Sequence, residues 1–278
     1  MPPETTLPKN AQGRFYHIDC GPGDLAPYIL TCGDPARARR IARRFDRVDL
    51  KRKNREFLTY TGSYKNIPLS VIATGIGAAA SAIAVIEAAQ CLSPATFIRL
   101  GSCGALQPEI AVGDLVITGK VMRDEKTTHF YAPPEYEAQA HPEVLSALAE
   151  AARQLEVPFH VGLTCTTDDF YGGQGRQPPG FPILEPKKIE HLSQAGVLNL
   201  EMEMSAYLTL ADISTYTLRA GGACAVFANR VTGATAFFTP GLRRLAESRV
   251  INLGLRAVEI LYEKDRIVGG GGQGSKTH

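Results

Sequence analysis

Several arginines in this 278-residue chain stand where an apolar run meets glycine, and that pairing suits an anion. The clearest case is Ala95 to Ile117, where Thr96-Phe97-Ile98 runs into Arg99, followed by Gly101, Ser102 and Gly104 and then a second apolar run from Val112. A strand that ends in a cation and a Gly/Ser turn offers outward N–H groups and a planar fork of donors to a phosphate or carboxylate. The pattern repeats at Tyr28–Cys32, which leads into Gly33-Asp34-Pro35-Ala36-Arg37, and Arg55 opens another apolar segment. Each arginine on its own fits a solvated surface charge, the usual fate of that residue. Three at strand–loop junctions favour the anion site. Two other stretches carry chemistry. Asp169-Phe170-Tyr171-Gly172-Gly173-Gln174-Gly175-Arg176 places an aromatic ring, an amide and a cation in one glycine-rich loop, and Glu203 stands between a short strand and a helix.

The elements that must position these groups alternate between strand and helix. Strands are expected at Tyr28–Cys32, Glu56–Tyr64, Pro68–Ala73, Val161–Thr167, Val197–Leu200 and Ala220–Ala228. Helices are expected from Pro35, over Ala78–Leu92 with Ala79, Ile83 and Ile86 on one face, over Pro142–Glu156, Lys187–Gln194 and Met204–Ile213, and over Pro240–Lys264. In Pro142–Glu156 the inward positions are Val144, Leu145, Leu148, Ala152 and Leu155. Thr74-Gly75-Ile76-Gly77 is a tight turn into the alanine-rich helix, and its glycines open a second route to an anion at a helix N-terminus. Residues 119–141 read as an irregular crossover. This alternation gives an α/β fold with a mixed, mostly parallel sheet, organised as an N-terminal arm (1–26), one domain (27–267) and a glycine-rich tail (268–278).

Composition narrows the function. The formal net charge of +2 is too small to favour nucleic acid or a membrane surface. No apolar run reaches the ~20 residues that span a bilayer. Met1-Pro2-Pro3-Glu4 lacks the charged-then-apolar pattern of a leader. The six cysteines are scattered without a CxxC pair, as small buried hydrophobes of a reducing compartment, and the cytoplasm is the expected location. No histidines or cysteines have metal-ligand spacing, so no metal is expected.

In order along the chain stand GDPARARRIA (33–42), NREF (54–57), TGIG (74–77), RLGSCGALQPEIAVGDLVI (99–117), DFYGGQGR (169–176), NLEMEMSA (199–206) and NR (229–230). With these motifs the chain resembles the nucleoside phosphorylase-I superfamily and, within it, the uridine phosphorylases. The resemblance implies a distorted mixed central sheet flanked by helices and reversible phosphorolysis, in which phosphate attacks C1′ of the ribose and the base leaves. It implies a phosphate clamp of Gly33, Arg37, Arg99 and Ser102, joined by Arg55 of a neighbouring subunit. Ribose would be held by the Met202 N–H and Glu203, with the neighbour's His17 near the 5′-hydroxyl. Gln174 and Arg176 would read the uracil edge, Phe170 would stack on the ring, and Phe227 and Arg230 would complete the nucleoside pocket. Arg99, Glu203, Gln174 and Arg176 would carry the catalysis. Inorganic phosphate would be the co-substrate, with no other cofactor, and sites would be shared across the interface of a homodimer that some members build into a trimer of dimers.

The pattern is broken in four places. Cys103 stands for a threonine, Ala80 for a serine that helps hold a monovalent cation in some members, Phe227-Ala228 for an aliphatic pair, and Gln177–Pro186 is a short proline-rich loop. Ala80 leaves that cation out of the expectation. A purine or deoxynucleoside phosphorylase, and a non-catalytic nucleoside-binding homologue, stay open as alternatives. The purine enzymes of the superfamily carry an aspartate where this chain has Asn229.

Overall fold

The computed structural model describes residues 5–270. In chain order it contains β1 (Tyr28–Cys32), α1 (Pro35–Ala42), β2 (Arg47–Asn54), β3 (Phe57–Tyr64), β4 (Ile67–Ala73), α2 (Ala78–Cys91), β5 (Ala95–Ala105) and β6 (Leu115–Asp124). There follow β7 (Ala138–Gln139), α3 (Pro142–Gln154), β8 (Phe159–Thr167), α4 (Lys188–Gln194), β9 (Val197–Glu201), α5 (Met204–Ile213), β10 (Leu218–Asn229) and α6 (Pro240–Gly270). The expected class holds: a mixed α/β sheet with flanking helices.

The strands lie in the order β10-β6-β8-β9-β5-β1-β4-β3-β2, and β10 also pairs with β5. That extra pairing closes β5, β10, β6, β8 and β9 into a ring, from which β1, β4, β3 and β2 extend as an open sheet. One edge of β5 is paired with β10 along nearly its whole length. Its other edge is shared. β1 covers Thr96–Arg99 in parallel, and β9 covers only Gly104 and Ala105, antiparallel. Between them the edge from Leu100 to Cys103 is left open, and the sheet forks there. Such a fork at the carboxyl ends of strands is where open α/β sheets make their ligand crevice.

One core cluster joins α1, α3 and α6 to one face of the sheet, through residues such as Ile41, Leu148, Val250 and Leu253. A second joins α2 and α5 to the other face, through Val85, Phe97 and Tyr207. Phe97 and Tyr207 are each 1% exposed, and burying such side chains stabilises by about 1.5–3 kcal/mol apiece. No helix among the described residues is long and apolar enough to cross a membrane.

The structure corrects several expectations. Gly101 to Gly104 is not a turn: β5 runs unbroken through it, and Arg99 sits mid-strand. The pairing with β10 supplies the backbone partners that the local sequence does not advertise. Arg55 does not begin a strand. It occupies the tip of the β2–β3 hairpin with a left-handed φ of 52°, after an edge strand that carries Lys51-Arg52-Lys53. Charges suit an edge strand because they discourage pairing with another chain. Within 119–141, β6 continues to Asp124 and β7 pairs back onto it.

On α2 the buried positions include Ala78, Ser81, Ala82, Val85 and Ala88, whereas Ala79 is exposed and Ile83 and Ile86 are half-buried. On α3, Ala147 and Ala151 face inward and Leu155 is the exposed cap residue. The last helix runs on to Gly270, and residues 271–278 of the expected tail lie outside the described residues. Phe15, Ile18 and Cys20 of the N-terminal segment are buried in the second cluster.

Candidate active site

The fork opens into a cavity of about 560 Å³. Its walls bring together Gly33, Arg37, Arg99, Ser102, Phe170, Gln174, Arg176, Met202, Glu203 and Phe227 of the residues expected from sequence. Three others lie elsewhere. Arg230 borders an adjoining recess that shares Arg176 with the main cavity. His17 is held at Glu87, whose carboxylate lies 2.6 Å from its Nδ1 and accepts the backbone N–H groups of His17 and Ile18. Arg55 is exposed on its hairpin, 3.6 Å from Glu56.

Arg37 comes from α1, which starts at the N-cap Asp34, whose carboxylate accepts the Ala36 N–H at 2.7 Å. Arg37 donates to the Leu100 carbonyl at 2.8 Å and to Ser102 Oγ at 2.6 Å. Leu100 begins the stretch of β5 edge that neither β1 nor β9 pairs, so the guanidinium takes the place of a missing strand. Glu247 of α6, at 3.0 Å, fixes the guanidinium from behind and also pairs with Arg40.

Arg99 lies on β5 and is 3% exposed. Its Nε donates to Glu201 at 3.0 Å, and its Nη2 pairs with Glu203. Burial alone would lower its pKa, but the Glu203 and Glu201 carboxylates hold it well above the ordinary guanidinium value. Gly101 is required beside it. A Cβ there would stand 2.6 Å from Cys224 Sγ and 2.8 Å from Arg99 Nη2.

Beside Arg99, Glu203 occupies the N-cap position of α5 and is 6% exposed. Gly77, at a φ of 104° that favours glycine, donates its N–H to Glu203 Oε1 at 2.8 Å. Burial pushes the Glu203 carboxyl above the usual carboxylate range, with Arg99 opposing and Glu201 adding to the shift. Glu201, which sequence reasoning missed, is the hub behind both. It accepts from Arg99, from Thr166, from the Glu203 N–H at 2.9 Å and from the Met204 N–H at 2.8 Å. A carboxylate at the first turn of α5 also favours the helix dipole. Its only sequence signal was the spacing Glu201-x-Glu203, and both acids line the cavity. Glu247 was missed too, because it is 210 residues from Arg37.

At the far end, Arg176 donates to the Phe170 carbonyl at 2.7 Å, pairs with Gln174 Oε1, and stacks 4.0 Å from the centre of the Phe170 ring. Burial, reinforced by the charge of Arg230, lowers its pKa to about 10, so it stays charged at neutral pH. Phe237 joins this wall without having been expected. Cys103 lines the cavity as a neutral thiol, its pKa raised by burial and by Cys224. Asn229, in contrast, does not line the main cavity. Its amide donates to the carbonyls of Gln107 and Ile110, each at 2.8 Å, and its oxygen accepts the N–H groups of Val231 and Thr232.

One cavity gathers two arginines and a hydroxyl, a buried carboxylate beside backbone donors, and an amide–guanidinium–aromatic group. A forked mixed sheet with such a cavity defines a small-molecule site that offers cations, a carboxylate and an aromatic wall to its ligand. The chain belongs to the phosphorylase superfamily, whose model matches residues 27–259. A uridine phosphorylase of Thermococcus kodakarensis is 45% identical over 93% of this chain and 90% of its own. One of Escherichia coli is 37% identical over 79% of this chain and 88% of its own. In architecture the chain matches the crystal structure of a Trypanosoma brucei nucleoside phosphorylase that shows uridine phosphorylase activity. The TM-score is 0.83, over 91% of this chain and 99% of that one, at 24% identity.

Proposed function

We propose that this protein catalyses the reversible phosphorolysis of uridine, yielding uracil and ribose 1-phosphate, with inorganic phosphate as co-substrate and no other cofactor. One observation carries the reading. Arg37, Arg99, Ser102, Glu203, Gln174, Arg176 and Phe170 all line a single cavity, a set of groups that suits phosphate, ribose and base.

Phosphate is held by Arg37, Arg99, Ser102 and the backbone at Gly33, in line with C1′, so that attack is accelerated mainly by positioning. Glu203 and the Met202 N–H engage the ribose hydroxyls, and the negative charge of Glu203 favours the cationic sugar of the transition state. As the C1′–N1 bond breaks, its electron pair passes onto the uracil ring. Gln174 and Arg176 donate to that developing anion, a role worth about 10²–10³ in rate per donor. Phe170 and Phe227 form the apolar walls of the base site. Asn229, with its side chain committed to backbone, disfavours a purine reading that needs an acid there.

The site is completed by a second subunit, which lends Arg55 and His17. Three features support this. Arg55 is exposed at a hairpin tip, Ile76 at the cavity rim is 77% exposed, and the outward stripe of Ala79, Ile83 and Ile86 is only partly covered. A two-fold interface would cover these apolar groups and exchange the two side chains. A cytoplasmic role in recovering nucleosides follows from the same reading, with the expected arm, domain and tail as its organisation.

The test is uridine absorbance in the presence and absence of phosphate. Uracil release only with phosphate supports the phosphorylase. Release without phosphate assigns a nucleosidase, and no release leaves a binding protein.

A further inference from the structure

His17 is gripped from two sides. On one side is Glu87 of α2, a carboxylate that is 6% exposed and whose hydrogen bonds go to His17 and Ile18. Its Oε1 lies 2.6 Å from His17 Nδ1, and its Oε2 accepts the His17 N–H at 3.1 Å and the Ile18 N–H at 2.9 Å. On the other side is Asn54 at the end of β2. Its amide donates to the Tyr16 carbonyl at 2.6 Å and to the His17 carbonyl at 3.2 Å. Phe57, 1% exposed, meets the imidazole edge-on with ring centres 6.2 Å apart. Asn54 and Phe57 flank the hairpin tip that carries Arg55. One seat therefore presents both His17 and Arg55.

Anchoring the chain does not require all of this. The two backbone N–H bonds already tie residues 17 and 18 to α2, and Phe15 and Ile18 are buried on either side of His17. The bond from the imidazole ring does something else. An ionised carboxylate only accepts, so Nδ1 carries the proton of the neutral ring and Nε2 keeps a lone pair. Nε2 makes no hydrogen bond among the described residues, and the side chain is 28% exposed. The ring is thus held in one tautomer and one orientation, with a free acceptor. Carboxylates fix the rings of metal-bound histidines in the same manner. In the proposed substrate, the group that fits such an acceptor is the 5′-hydroxyl, a single donor on a rotatable carbon.

We propose that Glu87 is a positioning residue for recognition of the ribose 5′-hydroxyl, orienting His17 so that Nε2 accepts that hydroxyl in the neighbouring subunit's site. The inference rests on the phosphorolysis and the shared site assigned above. It goes beyond them by placing selectivity for the 5′-hydroxyl under the control of a buried acid that touches no substrate.

The test compares kcat/KM for uridine with that for 5′-deoxyuridine, which lacks only the hydroxyl oxygen, using the full chain. Wild-type protein is expected to favour uridine by about tenfold or more, since a site built to bond a hydroxyl rejects the analogue without it. His17→Ala should abolish the preference. Glu87→Gln should lower it by at least about threefold, chiefly through the KM of uridine, while 5′-deoxyuridine is cleaved nearly as before. Loss of a purely structural support would weaken both substrates alike. Both are measured on one preparation, so a misfolded fraction cancels from the ratio. If Glu87→Gln yields no folded protein, Glu87→Asp, which withdraws the carboxylate by one methylene, should lower the ratio in the same direction. A wild-type ratio in the Glu87 variant overturns the role of Glu87, and loss of the ratio in His17→Ala then leaves the shared site standing. Equal cleavage of the two nucleosides by wild-type protein overturns it as well, with phosphorolysis intact. Absence of uridine cleavage removes the proposed function and this inference with it.

Discussion

Arg99 and Glu203 form a buried ion pair between the middle of β5 and the start of α5, with Glu201 3.0 Å from the same guanidinium. In the proposed reading the pair joins the phosphate end of the cavity to the sugar position. One cation faces two carboxylates there, so an incoming phosphate must share Arg99 with acids already bound to it. Arg37, which spends its donors on Glu247, Leu100 and Ser102, adds the second positive charge that makes a dianion acceptable at that place.

Arg99→Ala is expected to raise the phosphate concentration needed for half-maximal rate and to lower kcat/KM for phosphate by at least about tenfold. A hydrogen bond to a charged group is worth about 1.5–3 kcal/mol. The variant also leaves Glu201 buried without its cation, and a lower melting temperature should accompany the kinetic loss. Phosphate saturation curves and thermal unfolding check the two effects separately.

Glu201→Gln keeps the shape of the hub but removes its charge. Glu201 is a positioning residue, acting through Arg99 and through the N–H groups of Glu203 and Met204. The expected result is weaker phosphate binding and a lower kcat. A purely structural role would lower the melting temperature and leave the phosphate KM of the folded fraction alone. Titration of phosphate against active-site-normalised rates distinguishes these outcomes.

Arg176→Ala or Gln174→Ala should reduce uridine cleavage by about 10²–10³ while phosphate affinity stays near wild type, because the lost donor acts on the leaving base. Parallel variation of uridine and phosphate measures both. An equal loss in the two substrates would place these residues outside base recognition.

The acid limb of activity is expected to lie above the ordinary carboxylate range. Burial raises the Glu203 pKa, and the ionised form is the one that steadies a cationic sugar. The sign for stability follows. A carboxyl whose folded pKa exceeds its unfolded value of about 4.3 stabilises the fold at pH below that value. That contribution is lost as pH rises through the folded pKa. A kcat/KM profile between pH 4 and 8, and the same range of melting temperatures for wild type and Glu203→Gln, test both. The acid-side gain in stability should be missing in the variant.

Mixing Arg55→Ala with Glu203→Ala under conditions of subunit exchange should restore activity. In the mixed dimer one site carries both lesions and the other carries neither. Exchange demonstrated by mass spectrometry with no recovered turnover would sink the shared site.

The sequence by itself determined most of the strands and helices, because periods of two and of 3.6 residues survive in short windows of the chain. It also determined the kinds of groups available for chemistry. The loop from Asp169 to Arg176 is local, so its aromatic, amide and cation were bound to lie near one another whatever the rest of the fold. What the tertiary structure alone decided depends on partners distant in sequence. Gly101 to Gly104 reads as a turn until β10 pairs alongside and makes it strand. β2, which carries Lys51-Arg52-Lys53, is a strand because of its edge position and its pairing with β3. Glu247 and Glu201 are ordinary acids in the sequence. They become the supports of Arg37 and Arg99 because α6 and β9 are brought behind those arginines. The cavity itself was decided at the fork of β5, where β1 ends and β9 begins. No local pattern encodes that opening, since it arises from strand order, and strand order is settled by which apolar faces can be buried together.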